Sequence, residues 1–431
     1  MSQIGDFVKD MRTPLYRNAV FLMANTVANN GFGFLFWMVV AWFYATSDFG
    51  MATALIAAAM LIANLSTLGL DIGLIRYLPE AKEQENSMIN SAFSITAGLS
   101  IGISVIFLLG LGLWSPALIF LTENLFFSVA FIFVAIFFAL SLVMNNVFIA
   151  KRSAKYMLLR NVVYGLVRLG LPAIFAVFFG VFGIFASWGV AAFIALVVGW
   201  LFFMRKILPE YRPSLRASKT VVNDIFHFSF GNYIGGILSM LPTFLLPIML
   251  VNLATPELAA YFYVAWMIAG ILFIVPQAVA TSLFAEGSHF QDRFSGDIRK
   301  SLRLILVLVT IGIIALFFFG NILLFLFSAD YSENAFDLLR ILAISAVFVS
   351  INGVYFTIKR VEKKVAPIIL ISAFTTIMTL TVAYVLVPPL GLIGVGIGWI
   401  ASQGLVSLAI GILYLRKFLE NRITTSRVSS P

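Results

Sequence analysis

The sequence predicts an all-α polytopic membrane protein, with twelve transmembrane helices in two parallel six-helix lobes around a central cavity. Three observations carry that expectation. Hydrophobic residues fill 61% of the 431 positions and charged residues only 11%, more apolar surface than a soluble core of this length can bury. The apolar residues fall in twelve runs long enough for a helix to cross hydrocarbon, which takes about 20 residues. Of the 28 Lys and Arg, 26 lie in every second gap between these runs, and the intervening gaps contain none. Short cytoplasmic loops retain positive charge, so this alternation predicts a plasma (inner) membrane protein with both termini in the cytoplasm.

The spans are expected at about 18–44, 50–75, 87–114, 124–150, 156–180 and 182–204, then 223–253, 258–285, 298–327, 333–358, 366–387 and 391–415. The first follows Lys9, Arg12 and Arg17 and is too long for a cleavable signal, so it is expected to stay in the mature protein. The second lies between Asp48 and the pair Arg76 and Lys82. The fourth and fifth flank Lys151, Arg152, Lys155 and Arg160. The same alternation continues through Arg205 and Lys206, Arg293 to Arg303, Lys359 to Lys364, and Arg416 onward. The opposite loops carry only acids, among them Asp48, Glu123, Glu257 and Asp330. These basic loops account for the net charge of +9, which points to anionic membrane lipids as neighbours and not to nucleic acid.

The chain repeats itself. Ala45-Thr46-Ser47-Asp48-Phe49-Gly50 matches Ala254-Thr255-Pro256-Glu257-Leu258-Ala259 at an offset of 209 (45 to 254). The sixth and twelfth spans align at an offset of 211, pairing Gly183 with Gly394, Trp188 with Trp399 and Arg205 with Arg416. Six spans is an even number, so both halves enter from the same side. The expected organisation is a first lobe over 1–206, a basic linker over 207–222 holding Pro209 and Pro213, a second lobe over 223–416 and a cytoplasmic tail over 417–431. The linker should leave the lobes free to rock, opening a cavity alternately to each side.

Polar groups within a bilayer are costly and turn toward protein or water, so their positions should outline that cavity. Asn18, Asn25 and Asn29 recur at helical spacing in the first span, and Asn161, Tyr164 and Arg168 do so in the fifth. For any single Asn, interhelical hydrogen bonding is the competing reading. Two arginines break the loop rule. Arg168 and Arg340 each lie about 12 Å inside a helix end, against a hydrocarbon core of about 30 Å. Asp337 is one turn from Arg340 and offers it a local partner, whereas Arg168 has no acid in its own span. A guanidinium without an internal counter-charge suits an anion, because its planar fork matches phosphate oxygens. Asp71 and Arg76 are expected at the inner mouth of the second span, as a salt bridge, a gate or a substrate contact. His227 and His289 read as solvated at inner helix ends.

Absences narrow the chemistry. The chain has no Cys, and no Gly-Lys dipeptide of a P-loop occurs. No catalytic dyad, metal cluster or cofactor motif is apparent, so transport without enzymatic chemistry is expected.

The run at 45–50, followed by Gly69-Leu70-Asp71-Ile72-Gly73-Leu74-Ile75-Arg76-Tyr77-Leu78-Pro79-Glu80-Ala81, resembles the opening signature of the polysaccharide-exporter (Wzx-type) flippases. These belong to the superfamily of multidrug, oligosaccharidyl-lipid and polysaccharide exporters. Gly391-Leu392-Ile393-Gly394-Val395-Gly396 is similar to the family's end. The resemblance implies a V-shaped, MATE-like pair of lobes that carries a polyisoprenyl-diphosphate-linked oligosaccharide, such as an O-antigen unit, from inner to outer leaflet. It also implies work alongside the polysaccharide biosynthesis machinery. Family members have a cationic lumen; the positions here that match are Arg168 and Arg340, with Asn25, Asn29 and Asn161 as sugar contacts. The membrane potential is the expected drive, with H⁺ or Na⁺ antiport as the next candidate. The competing readings are a cation-coupled multidrug extruder, against which the first span holds no acid, and a membrane glycan polymerase or ligase, for which the outer loops are too short.

Overall fold

The computed structural model describes residues 14–215, 218–289 and 294–428. Lys9, Arg12, Arg216 and Arg293 lie outside the described residues, as do the side chains of His227 and His289. Twelve helices are long and apolar enough to cross a membrane. In chain order they are α1 Pro14–Phe43, α2 Thr46–Ser66, α3 Glu85–Leu109, α4 Leu125–Ala150, α5 Ala154–Ala176 and α6 Phe179–Ile207. The second set is α7 Lys219–Leu253, α8 Pro256–His289, α9 Phe294–Phe325, α10 Ala329–Val361, α11 Ala366–Leu390 and α12 Leu392–Val428. The described residues contain no strand. The all-helical, twelve-span expectation holds.

Contacts divide the chain into two compact units. One runs to Ile237 and takes in Thr243–Ala260; the other comprises Leu238–Pro242 and the chain from Tyr261 onward, so α7 contributes to both.

In the first unit, α1 packs along α5, and α4 packs against α2, α3, α5 and α6. The two signature stretches have structural tasks here. Gly50 brings α2 against the start of α8 so closely that a Cβ would lie 1.6 Å from the Pro256 carbonyl oxygen. The second span stops at Ser66, earlier than the expected 75, because Leu68 and Gly69 take positive φ values of 47° and 78°. A left-handed residue ends the α-helical ladder, and glycine takes that conformation at little cost. The chain then turns into a separate short helix, Leu70–Tyr77. Its Leu70, Leu74 and the following Leu78 recur every four residues and join a core with Ile89, Val147 and Met204.

The linker does not run free of α3. Asn86, Asn90 and Ser94, one helical turn apart, hydrogen-bond the carbonyls of Glu210, Arg212 and Ser214 at 3.3, 2.9 and 3.4 Å. Four residues of helix rise about 6.0 Å and two of extended chain about 6.6 Å, so the strap and the stripe stay in step. The Tyr211 hydroxyl and the Ser214 N–H both donate back to Asn90 Oδ1, at 2.8 and 3.1 Å.

The offset of 211 reappears as geometry. Gly180, between α5 and α6, has φ 47° and ψ −134°, and Gly391, between α11 and α12, has φ 55° and ψ −133°. The turn closing α4 donates from Lys151, Arg152 and Ser153 to the carbonyls of Val147, Ile149 and Phe148, and the turn closing α10 repeats this from Glu362, Lys363 and Lys364 to Ile358, Arg360 and Lys359. Each of these six residues has its counterpart 211 positions on. Arg152 and Lys363 take the matching positive φ values of 52° and 57°. In the second unit, α10, α11 and α12 pack together, with α9 against α10. α9 leaves Val307, Ile311, Ile314, Phe318 and Ile322 exposed, the apolar stripe expected of a lipid-facing helix.

Candidate functional site

The deep cations of the first unit are both on α5, and they straddle the middle of its span Ala154–Ala176. Arg160, Tyr164 and Arg168 are spaced four apart, so they follow one face of the helix.

Arg168 is 4% exposed. Its guanidinium carbon lies 4.9 Å from the Phe36 ring centroid, 4.8 Å from Tyr164 and 4.7 Å from Trp188. Aromatic faces carry the negative end of the ring quadrupole and attract a cation, by about 0.5–2 kcal/mol each depending on desolvation. Its hydrogen bonding is sparse: Nη1 reaches the Tyr164 hydroxyl at 3.4 Å, and Nε has no partner. No carboxylate pairs with it among the described residues. At Gly33 on α1, a Cβ would find Arg168 Nη2 at 3.8 Å and nothing else within 4 Å. The rings fix the guanidinium without neutralising it.

Arg160 was not legible as a site residue. It reads in the sequence as one more loop cation, yet it is 3% exposed. Its Nη1 donates to Asn145 Oδ1 and Asn161 Oδ1, both at 3.0 Å, and its Nη2 donates to the Ser141 hydroxyl. Asn161 Nδ2 in turn donates to Asn25 Oδ1 at 2.7 Å. Space for the side chain comes from α6. Gly199 opens a π-helical turn, Gly199–Met204, and a Cβ there would lie 2.5 Å from Met144 Sδ and 3.6 Å from Arg160 Cδ. Arg160 therefore ties α4, α5 and α1 together through neutral acceptors.

The structure thus brings Asn25 and Asn161 together, buried against each other, and separates them from Asn29. Asn29 lies with Thr26 and Asn30 on the exposed flank of α1, near the middle of the span Arg17–Phe43. Asp71 is on the short helix, where its Oδ2 accepts from Asn146 at 3.0 Å; Arg76 is exposed, and no ion pair joins the two among the described residues. In the second unit Arg340 pairs with Asp337 at 3.5 Å and lies 3.9 Å from the Phe336 ring centroid. Its side chain is 42% exposed. No group of His, Asp and Glu able to hold a metal occurs among the described residues.

Residues 15–287 match a family described as polysaccharide biosynthesis protein. That match covers more than half of the chain. The chain belongs to this polysaccharide biosynthesis family. A Shigella flexneri protein named "Putative O-antigen transporter" is 29% identical over 146 residues, 33% of this chain. The chain spans about 35% of the length of that curated relative. Among solved structures, an inward-facing MATE-family multidrug resistance transporter of the MOP superfamily is similar with a TM-score of 0.63 and 18% identity, covering 96% of each chain. A MOP superfamily transporter from Pyrococcus furiosus, titled for the reverse polarity of its binding pocket, aligns with a TM-score of 0.62 and 16% identity over 94% of this chain and 95% of its own. These likenesses show that this member of the polysaccharide biosynthesis family has the MATE-like fold expected of it.

Proposed function

We propose that the protein exports a polyisoprenyl-diphosphate-linked oligosaccharide from the inner to the outer leaflet of the plasma membrane. Its basic loops and both termini face the cytoplasm, in keeping with the positive-inside rule. The observation that carries this reading is Arg168, a buried mid-membrane guanidinium with no carboxylate paired to it among the described residues and its Nη2 toward Gly33 of α1. Beside it on α1, Thr26, Asn29 and Asn30 are exposed at mid-span. Amides turned outward at that depth belong against water and not hydrocarbon. A hydrated flank of neutral amides over a fixed cation suits a cargo with phosphate at one end and sugar hydroxyls next to it.

In this reading Arg168 replaces water around the diphosphate, and Asn29 meets the sugar. Asn25 and Asn161 act by holding α1 on α5, with Arg160 behind them. Arg340, already shared with Asp337, adds positive potential in the second half. The lipid tail stays in the bilayer. Alternation between the two faces follows from movement of the lobes 1–206 and 223–416. The basic linker contributes little freedom, since its first residues are strapped to α3.

The test is a leaflet-resolved assay of lipid-linked oligosaccharide in proteoliposomes. Arg168→Ala is expected to lower the flipping rate by about tenfold or more, in line with the loss of a charge-assisted contact. Arg168→Lys should recover only part, because an ammonium lacks the planar fork held by the three rings. Normal flipping by a well-folded Arg168→Ala protein would remove the assignment.

A further inference from the structure

A cavity of about 340 Å³ lies at the basic end of the first unit, where the spans of α1 and α5 begin. It is lined by Arg17 and Phe21 from α1 and by Arg152, Lys155 and Tyr156 from the α4–α5 turn and the start of α5. Asn18 closes it by accepting from the Ala154 N–H at 2.9 Å, which fixes the turn against α1. None of the three cations has an acidic partner among the described residues. Like charges drawn around one cavity repel, so the arrangement calls for an anion from outside.

The counterpart turn after α10 has the same hydrogen bonds and the same positive φ, and it carries an acid among its cations. Glu362 pairs with Lys359 at 2.9 Å and with Lys364 at 3.2 Å. Counting on by 211, Ala366 stands where the first half has Lys155. One fold element therefore occurs twice: its first copy lines a cavity with three cations and no acid, and its second holds two of its cations on Glu362.

We propose that this cavity binds the phosphate of a lipid headgroup, with Arg17, Arg152 and Lys155 on the phosphate oxygens and Phe21 and Tyr156 against the interfacial part of the lipid. The cavity opens where spans begin, the depth at which headgroups and amphipathic rings meet. The same chemistry is offered by an anionic glycerophospholipid and by a diphosphate carrier lipid. The site stands independently of the transport reading.

Native mass spectrometry of the full-length protein in detergent tests it with three short-chain probes: dioctanoyl phosphatidylglycerol, farnesyl diphosphate and, as the neutral control, dioctanoyl phosphatidylcholine. At least one anionic probe should bind about tenfold tighter than the control, and the variant Arg17→Gln/Arg152→Asn/Lys155→Gln should lose about tenfold in affinity. Asn is chosen at 152 because it tolerates a positive φ. Lys363→Asn/Lys364→Gln, at the counterpart turn, should bind as wild type does. Preference for phosphatidylglycerol identifies bulk lipid as the ligand, and preference for the diphosphate identifies the carrier; either supports the site. Equal binding of all three probes, undiminished binding by the triple variant, or a loss confined to Arg168→Ala would overturn it, and the last would leave the transport reading standing.

Discussion

The two buried arginines of α5 share one helical face and differ in kind. Both guanidinium Nη atoms of Arg160 donate to neutral acceptors on α4 and α5, whereas Arg168 is held by ring faces and makes one long hydrogen bond. In the proposed function, that contrast separates a positioning residue from a binding one. Arg160→Ala would leave Asn145 and Asn161 without their donor and open a void beside Gly199. Such losses in a buried network cost about 3 kcal/mol, so the detergent-solubilised protein should show a clearly lower thermal midpoint. Arg168→Ala removes a cation that has no strong polar partner to orphan, and it should lower flipping far more than it lowers stability.

Asp71 gives a second prediction at this scale. Burial pushes its carboxyl above the ordinary carboxylate range, against hydrogen bonds that include the one from Asn146. The folded protein therefore takes up a proton there more readily than the unfolded chain does. Stability should fall as pH rises from the ordinary carboxylate range through the raised value. Asp71→Asn, which can still accept from Asn146, is expected to flatten that fall. A pH series of unfolding midpoints for the two proteins decides the matter, and parallel curves would place the titration elsewhere.

At the level of elements, the hairpins α5–α6 and α11–α12 turn on Gly180 and Gly391, whose φ and ψ agree within 8° and 1° (47° against 55°, −134° against −133°). This is a region where a Cβ clashes, with a cost of about 1–3 kcal/mol. Gly180→Ala and Gly391→Ala should each destabilise by a similar amount in that range, measured by thermal or denaturant unfolding. Glycine's usefulness here was visible in the sequence as part of a repeated Gly-containing stretch, although the register of the turn was not. The strap was not anticipated, and the linker was expected to run free: Asn86, Asn90 and Ser94 recur every fourth residue at the start of the third span, among other polar residues. The sequence does not show what such a stripe meets. Its partners are backbone carbonyls more than a hundred residues away, and carbonyls are the same in every residue. Arg160 escaped for a related reason. An arginine six residues into a helix after a basic loop looks like its neighbours, and only Gly199 and the π-turn of α6 make room to bury it.

For the whole molecule, a cargo with negative charge driven outward by an interior-negative potential gains about 2.3 kcal/mol per charge per 100 mV. Flipping in proteoliposomes should therefore quicken when a valinomycin-clamped K⁺ gradient sets that polarity and slow when the gradient is reversed. A rate indifferent to potential but responsive to a pH or Na⁺ gradient would assign the drive to antiport.

The sequence by itself determined the helices, their number, their alternating polarity and the duplication, because hydrophobic length and loop charge act along the chain and need no partner to be read. Which buried cation is tied down and which is left open was decided only by tertiary structure. An aromatic cage, a glycine gap and a network of amides draw on four separate helices, and the free energy of burying a charge depends on what surrounds it in space.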